Sequence, residues 1–150
     1  MRTRTALALS LTGVVAVGAL SPAVAATKVK PKPVSKSYTA TAFPPDPSHA
    51  GVTSGICNTT IPASQHNEPF TVPFPGTIKV DLTGFQGDWD LAIYQGGSLI
   101  ARSAQETTDP VDRPESITLK LKKTGAKIQI RACNFAGGPT ANVKYVHTPI

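Results

Sequence analysis

The amino-acid sequence predicts an all-β protein, an antiparallel β-sandwich of about eight short strands. From residue 37 onward, short segments alternate apolar and polar residues with a period of two, which places one face on a core and the other in water. Turns containing glycine or proline separate these segments at intervals of about ten residues. After the first 25 residues, no run sustains the apolar i, i+3, i+4, i+7 spacing of an amphipathic helix.

The centre of the predicted sandwich is the stretch of residues 76–103, which contains two alternating strands and a glycine-containing hairpin. Trp89 shares its strand face with Leu91, so we predict a core position for the indole ring. The alternative for this tryptophan is an exposed platform that stacks on sugars. Asp88 and Asp90 fall on the opposite face of the same strand.

The hairpin register follows from the length of its loop. We predict a three-residue loop at residues 95–97, which sets Asp90 opposite Arg102 and Trp89 opposite Ser103. A two-residue glycine loop would instead bring Arg102 onto the buried face, so the longer loop is preferred.

The remaining strands are assigned from the same alternation. Prolines interrupt residues 70–74, so this segment is placed at a sheet edge or outside the ladder, and the polar run at residues 59–68 is predicted as a loop. Further strands are predicted at residues 37–43, 52–58, 116–122, 127–133 and 141–147.

Residues 1–25 predict a signal peptide. Arg2 and Arg4 precede a 15-residue apolar run, and Ala-Val-Ala at residues 23–25 supplies a small-x-small cleavage site. The alternative is a short membrane anchor, but such a helix at ~1.5 Å per residue extends only ~22 Å against a hydrocarbon core of ~30 Å. No second apolar run has the length of a transmembrane segment. We therefore expect a secreted, extracellular protein.

The basic character of the chain is concentrated in residues 26–36, a segment rich in lysine and proline. The formal net charge is +6, but from residue 37 onward nine basic residues face nine acidic ones. A neutral body argues against nucleic-acid binding. The segment 26–36 buries too little surface to order itself, so we predict a solvated tail, with contact to an anionic cell-wall polymer or membrane as the alternative. The sandwich is then assigned to residues 37–150.

Two cysteines, Cys57 and Cys133, predict one disulfide in an oxidising compartment. A metal site and a catalytic thiol are the alternatives. None of the three histidines has metal-ligand spacing from a cysteine, which favours the disulfide. Because Cys133 has outward parity on its strand, we expect the bond at the margin of the sandwich.

The sequence resembles the bacterial pre-peptidase C-terminal domain. The motif residues are Gly76-x-Ile78-x-Val80-x-Leu82, followed by the more specific step Gly87-Asp88-Trp89-Asp90-Leu91, and the resemblance covers residues 70–147. It implies a jelly-roll-like β-sandwich and a non-catalytic accessory role beside a secreted peptidase. Related modules in bacterial collagenases bind collagen and calcium. No peptidase domain accompanies the motif in this chain, so the resemblance implies a module that stands alone.

A calcium site is the one cofactor that the residues suggest. In the preferred register, the loop after residue 103 begins beside the two aspartates of the central strand, and carboxylate oxygens are the ligands that calcium prefers. The alternative is an ordinary solvated loop, because no Asp-x-Asp-x-Asp-Gly sequence is present. The candidate metal ligands are Asp88, Asp90, Glu106, Asp109 and Asp112.

The sequence favours a binding function over catalysis. It contains neither Gly-x-Ser-x-Gly nor His-Glu-x-x-His, and neighbouring aspartates on one strand face do not straddle a sugar ring. We expect a secreted binding or accessory module that engages a protein, a polysaccharide or another cell-envelope ligand, with or without calcium. The alternative is a small structural or interaction protein of the envelope that its basic tail tethers.

Overall fold

The computed structural model describes residues 29–45, 57, 61–104 and 113–150. The predicted signal peptide and most of the predicted strand at residues 52–58 lie outside these ranges. Apart from a single 3-10 turn at Pro62–Ser64, the described secondary structure consists of strands. The eight strands are β1 (Val34–Thr41), β2 (Gln65–Thr71), β3 (Gly76–Thr83), β4 (Gly87–Gln95), β5 (Ser98–Ser103), β6 (Glu115–Leu121), β7 (Lys127–Gly137) and β8 (Thr140–Pro149).

The strands form two four-stranded antiparallel sheets. The first sheet has the order β1-β8-β3-β6 and the second sheet the order β2-β7-β4-β5. The pairs β1–β8, β2–β7, β3–β6 and β4–β5 are those of one long antiparallel ribbon wound into two layers, which is the jelly-roll arrangement. The prediction of an all-β, antiparallel, jelly-roll-like sandwich of about eight strands is confirmed.

The core lies between the two sheets and is built from the inward positions of the alternating strands. Trp89 is fully buried there, as predicted, and its Nε1 donates a hydrogen bond of 3.1 Å to the carbonyl oxygen of Gly138. The ring of Phe85 packs beside it. Other fully buried side chains of this core are Val72, Ile78, Val80, Leu82, Leu91, Ile93 and Ile130.

The glycine of the Gly-Asp-Trp-Asp step is required by a close approach of two backbones. Gly87 and Gly137 lie opposite each other in the β4–β7 pair, with φ values of 95° and 99°. A Cβ on Gly87 would stand 2.2 Å from the carbonyl oxygen of Ala136, and one on Gly137 would stand 2.1 Å from that of Gln86. Only glycine combines these φ values with this spacing.

The predicted hairpin register is wrong. The loop has two residues, Gly96 and Gly97, because Gln95 pairs with Ser98. A β-bulge then shifts the register, so that Ala101 lies opposite Ile93. Without a bulge, a two-residue loop would bring Arg102 onto the buried face. The bulge avoids this, because it sets Arg102 opposite Ala92 and Ser103 opposite Leu91, and Arg102 stays exposed.

Two strands begin earlier in the chain than the alternation indicates. β1 begins at Val34, so three residues assigned to the tail pair with β8. β2 begins at Gln65, inside the run predicted as a loop, and pairs with β7 as an edge strand. An edge strand has one side of its ladder in water and tolerates Pro69, which explains why its polar sequence lacks clear alternation.

One end of the core contains a buried histidine. The His147 ring is fully buried, stacked on Phe74 with a centroid distance of 4.7 Å and packed edge-on against Phe70. Neither ring nitrogen has a hydrogen-bond partner in the part of the chain that the structure describes. Burial lowers the pKa of His147 below its ordinary value, so the imidazole is neutral at pH 7.

Candidate functional site

The outer face of the second sheet is covered around Cys133. The predicted disulfide between Cys57 and Cys133 is present, with a Cα–Cα distance of 5.4 Å, and both residues are fully buried. Together with Ala92 and Tyr94 they form a second small apolar cluster, on the side of the sheet away from the main core, against which Phe135 packs. The bond therefore lies outside the centre of the sandwich, in accordance with the outward parity of Cys133.

Arg131 uses its hydrogen-bonding capacity within this covered face. Its guanidinium lies 4.2 Å from the ring centroid of Tyr94 and donates to the side-chain oxygens of Asn67 and Gln129 at 3.0 Å. It also donates to the backbone oxygen of Cys57 at 3.4 Å. The guanidinium of Arg131 and the hydroxyl of Tyr94 thus hold the Cys57 backbone in place.

The outer face of the first sheet, in contrast, presents exposed polar side chains from all four strands. The register aligns Ser37, Lys144, Asp81 and Ser116 in one row across β1, β8, β3 and β6. Parallel rows add more hydroxyls and amines. The exposed residues of these rows are Ser35, Thr39, Thr41, Lys79, Thr83, Thr118, Lys120, Asn142 and Thr148.

A depression of about 450 Å³ lies on this face, where β1, β8 and β3 run side by side. We call it the polar depression. Its polar lining comes from Ser37, Thr39, Thr83, Asn142 and Lys144, and parts of Tyr38 and Val143 also contribute. Among the described residues, this polar lining combines three hydroxyls, one amide and one ammonium group, without a carboxylate.

Gly84 shapes the edge of the polar depression. It follows β3 with φ of 64°, and a Cβ at this position would stand 2.6 Å from the side-chain nitrogen of Asn142. The absence of a side chain at Gly84 thus leaves the space that the Asn142 amide occupies. The turn glycine therefore determines the position of one of the polar groups that line the depression.

The carboxylate on this face is already engaged. Asp81 accepts hydrogen bonds from Lys79 Nζ at 2.9 Å and from Ser116 Oγ at 2.8 Å. Partial burial raises the pKa of Asp81, but these hydrogen bonds and the charges of Lys79 and Lys144 outweigh it and lower the pKa overall. Among the described residues, neither Lys120 nor Lys144 belongs to an ion pair. The face therefore carries an excess of positive charge.

The predicted calcium ligands are only partly described. Glu106, Asp109 and Asp112 lie outside the described residues, so the calcium site stays a prediction. Asp88 is half-buried, and desolvation raises its pKa. Asp90 is buried opposite Cys133, under the covered face of the second sheet.

The corrected register also changes where the acidic loop starts. Ser103 lies opposite Leu91, two residues farther along β4 than predicted, so the loop departs beside Asp90 and not beside Asp88. Within the described ranges, no group of three or more histidine, cysteine or acidic side chains has metal-binding geometry.

The polar depression was not predicted from the sequence. Its residues come from three strands that are distant along the chain, and only the register of β1 and β3 against β8 brings Ser37, Thr83 and Asn142 together. The available signal was the outward parity of serine, threonine and lysine on the predicted strands. That pattern is also typical of any solvated sheet face, so it did not indicate a site.

Comparison with known proteins adds no family to this description. No protein-family model matches the chain, and no curated protein matches its sequence. None of the described residues belongs to a helix with the length and apolar character that a membrane span requires.

Proposed function

We propose that this protein is an exported, non-catalytic binding module that engages an anionic polysaccharide of the cell envelope through the polar depression. The observation that carries the proposal is the difference between the two sheets. At the centre of the second sheet's outer face, Arg131 holds Cys57 and an apolar cluster is buried, whereas the first sheet leaves hydroxyl, amide and ammonium groups exposed around a concave surface.

The lining of the polar depression matches the chemistry of an acidic sugar polymer. Hydroxyl and amide side chains donate to and accept from sugar hydroxyls, and an exposed ammonium pairs with a carboxylate or phosphate. The tryptophan is buried, so recognition at this surface depends on hydrogen bonds and charge and not on indole stacking. Exposed ion pairs are screened by salt, so we expect the affinity to fall as ionic strength rises.

A basic segment leads directly into the first sheet. Lys30 and Lys32 are exposed in the described residues that lead into β1, which is an edge strand of the first sheet. This observation favours the second candidate function, tethering of a small envelope protein by its tail. The export itself is inferred from the N-terminal pattern, and the accessory role from the resemblance to the pre-peptidase C-terminal domain.

A co-sedimentation assay with purified envelope polymer tests the proposal. The mature chain, residues 26–150, is compared with a double variant that carries Asn142→Ala and Lys144→Gln. Loss of one charged and one neutral hydrogen-bonding group should weaken binding by roughly tenfold or more. Lys127→Gln, on the exposed start of β7 in the second sheet, is the matched control and should bind as the unchanged protein does.

A variant that lacks residues 26–32 separates the two candidate functions. If the sheet carries the affinity, this deletion reduces binding less than the double variant does. If binding disappears with the tail and survives the double variant, the tail tethers the protein and the polar depression is not the site.

A further inference from the structure

The two long sides of the sandwich differ in how they are closed. On the β1–β2 side, the Tyr38 ring stacks on His66 with a centroid distance of 5.3 Å, and Lys36 Nζ lies 2.6 Å from Glu68 Oε1. These contacts join the edge strands of the two sheets. On the β5–β6 side, Ser103 donates a hydrogen bond to Glu115 at one end, and a cleft lies toward the other end.

The cleft has a volume of about 320 Å³, which is at the small end for ligand pockets. Its apolar lining consists of Ile100, Leu119, Leu121 and Ala126. Ile100 is the extra residue of the β-bulge in β5, and it packs against the margin of the main core, as does the adjacent Ala101. The bulge therefore directs two consecutive apolar side chains toward the space between the sheets.

The charged residues that the structure describes at the rim of the cleft are all basic. Lys120, Lys122 and Lys123 contribute to the lining, and all three are exposed. Lys122 and Lys123 both line the cleft, so an anion at its mouth is attracted by two ammonium groups. An apolar lining under an ammonium rim is complementary to a molecule that has one anionic end and one aliphatic end.

From this complementarity we infer that the cleft is a second binding site, for a small anionic amphiphile. Its ligand class is a carboxylate or phosphate monoester on a short aliphatic chain. The aliphatic chain would replace water over Ile100 and Leu119, and the anionic group would lie between Lys122 and Lys123. This site is separate from the polar depression, which lies at the opposite edge of the first sheet, and its ligand is a free molecule.

Calorimetric titration of the mature chain with monomeric octanoate tests the inference. We expect saturable binding, with octanol at least tenfold weaker because it lacks the charge. The double variant Lys122→Gln, Lys123→Gln should weaken octanoate binding by about tenfold and reduce its dependence on salt. Both lysines are exposed, so this variant should fold as the unchanged protein does.

Ala126→Phe provides an independent variant, because it fills the cleft and leaves the lysines in place. Octanoate binding should be lost, while binding of envelope polymer at the polar depression should remain. Equal affinity for octanol and octanoate would overturn the inference, as would octanoate binding that neither variant changes. Binding to vesicles of anionic phospholipid without binding of monomeric octanoate would also overturn it, and would assign the lysines to a membrane surface.

Discussion

Removal of the disulfide should cost this protein a large fraction of its stability. Cys57 and Cys133 are 76 residues apart, so their bond closes more than half of the chain into a loop. The chain-entropy relation for a loop of this length gives a stabilisation of about 4.5 kcal/mol. Domains of this size are stable by about 5–15 kcal/mol, so the double variant Cys57→Ala, Cys133→Ala should lie close to the limit of stable folding.

Urea denaturation followed by tryptophan fluorescence measures the effect, because Trp89 is buried in the core. The free energy of unfolding should fall by about 4 kcal/mol or more, and the slope with urea should rise because the unfolded chain is no longer cross-linked. A reducing agent should shift the unchanged protein toward the variant, and should leave the variant itself unaffected. A loss below about 1 kcal/mol would refute the reasoning, since it would show that the cross-link does not restrict the unfolded chain as the chain-entropy relation requires.

Three further predictions concern Gly87 in the Gly-Asp-Trp-Asp motif, the buried His147, and the loop after residue 103 that carries Glu106, Asp109 and Asp112. Gly87→Ala should destabilise the fold by several kcal/mol, because a Cβ at this position, where φ is positive, would stand 2.2 Å from a backbone oxygen. Gly97→Ala is the control for strain from positive φ alone, because open space surrounds Gly97. Equal losses of stability for the two variants in urea denaturation would contradict the contact argument. Burial lowers the pKa of His147, so the stability that its neutral ring contributes is complete above about pH 6.5 and is lost as the pH falls below that value. His147→Phe should reduce this acid sensitivity in denaturation curves taken from pH 7.5 to pH 4.5. Identical pH profiles for the two proteins would show that the ring is not the cause. If the acidic loop binds calcium, the melting temperature in millimolar calcium should exceed that in chelator by several degrees, and Asp90→Asn, beside which the loop departs, should reduce the difference; coincident melting curves of the unchanged protein would rule out the site.

The fold was largely predictable because the alternation of apolar and polar residues along each interior strand indicates which of its faces is buried. The alternation of Ile78, Val80 and Leu82, and the shared parity of Trp89 and Leu91, indicated the core side, and the structure buries all five. What alternation does not encode is the register between strands. Ser103 lies two positions farther along β4 than predicted: the shorter glycine loop accounts for one position, and the bulge in β5, which keeps Arg102 exposed, accounts for the other.

The candidate site was less predictable, because it depends on pairings between distant parts of the chain. Cys57 and Cys133 could be paired from the compartment and the even count alone. The sequence indicates the outward parity of Cys133 but does not show what packs above it. Both facts are needed to predict that the disulfide lies over the outer face of one sheet and leaves the other sheet open. The first four residues of the edge strand β2, Gln65–Glu68, were predicted as a loop. A strand with one side in solvent has few apolar residues, so its sequence gives little indication of a strand.

Residue-resolved NMR titration is the most direct test of the central claim, that the first sheet is the binding face. Isotope-labelled mature protein would be titrated with acidic oligosaccharide fragments of the envelope polymer. We expect the largest amide shift changes at Ser37, Thr83, Asn142 and Lys144, with small changes at Arg131 and Tyr94. Largest changes on the second sheet, or shifts confined to Lys30 and Lys32 in the segment before β1, would contradict it.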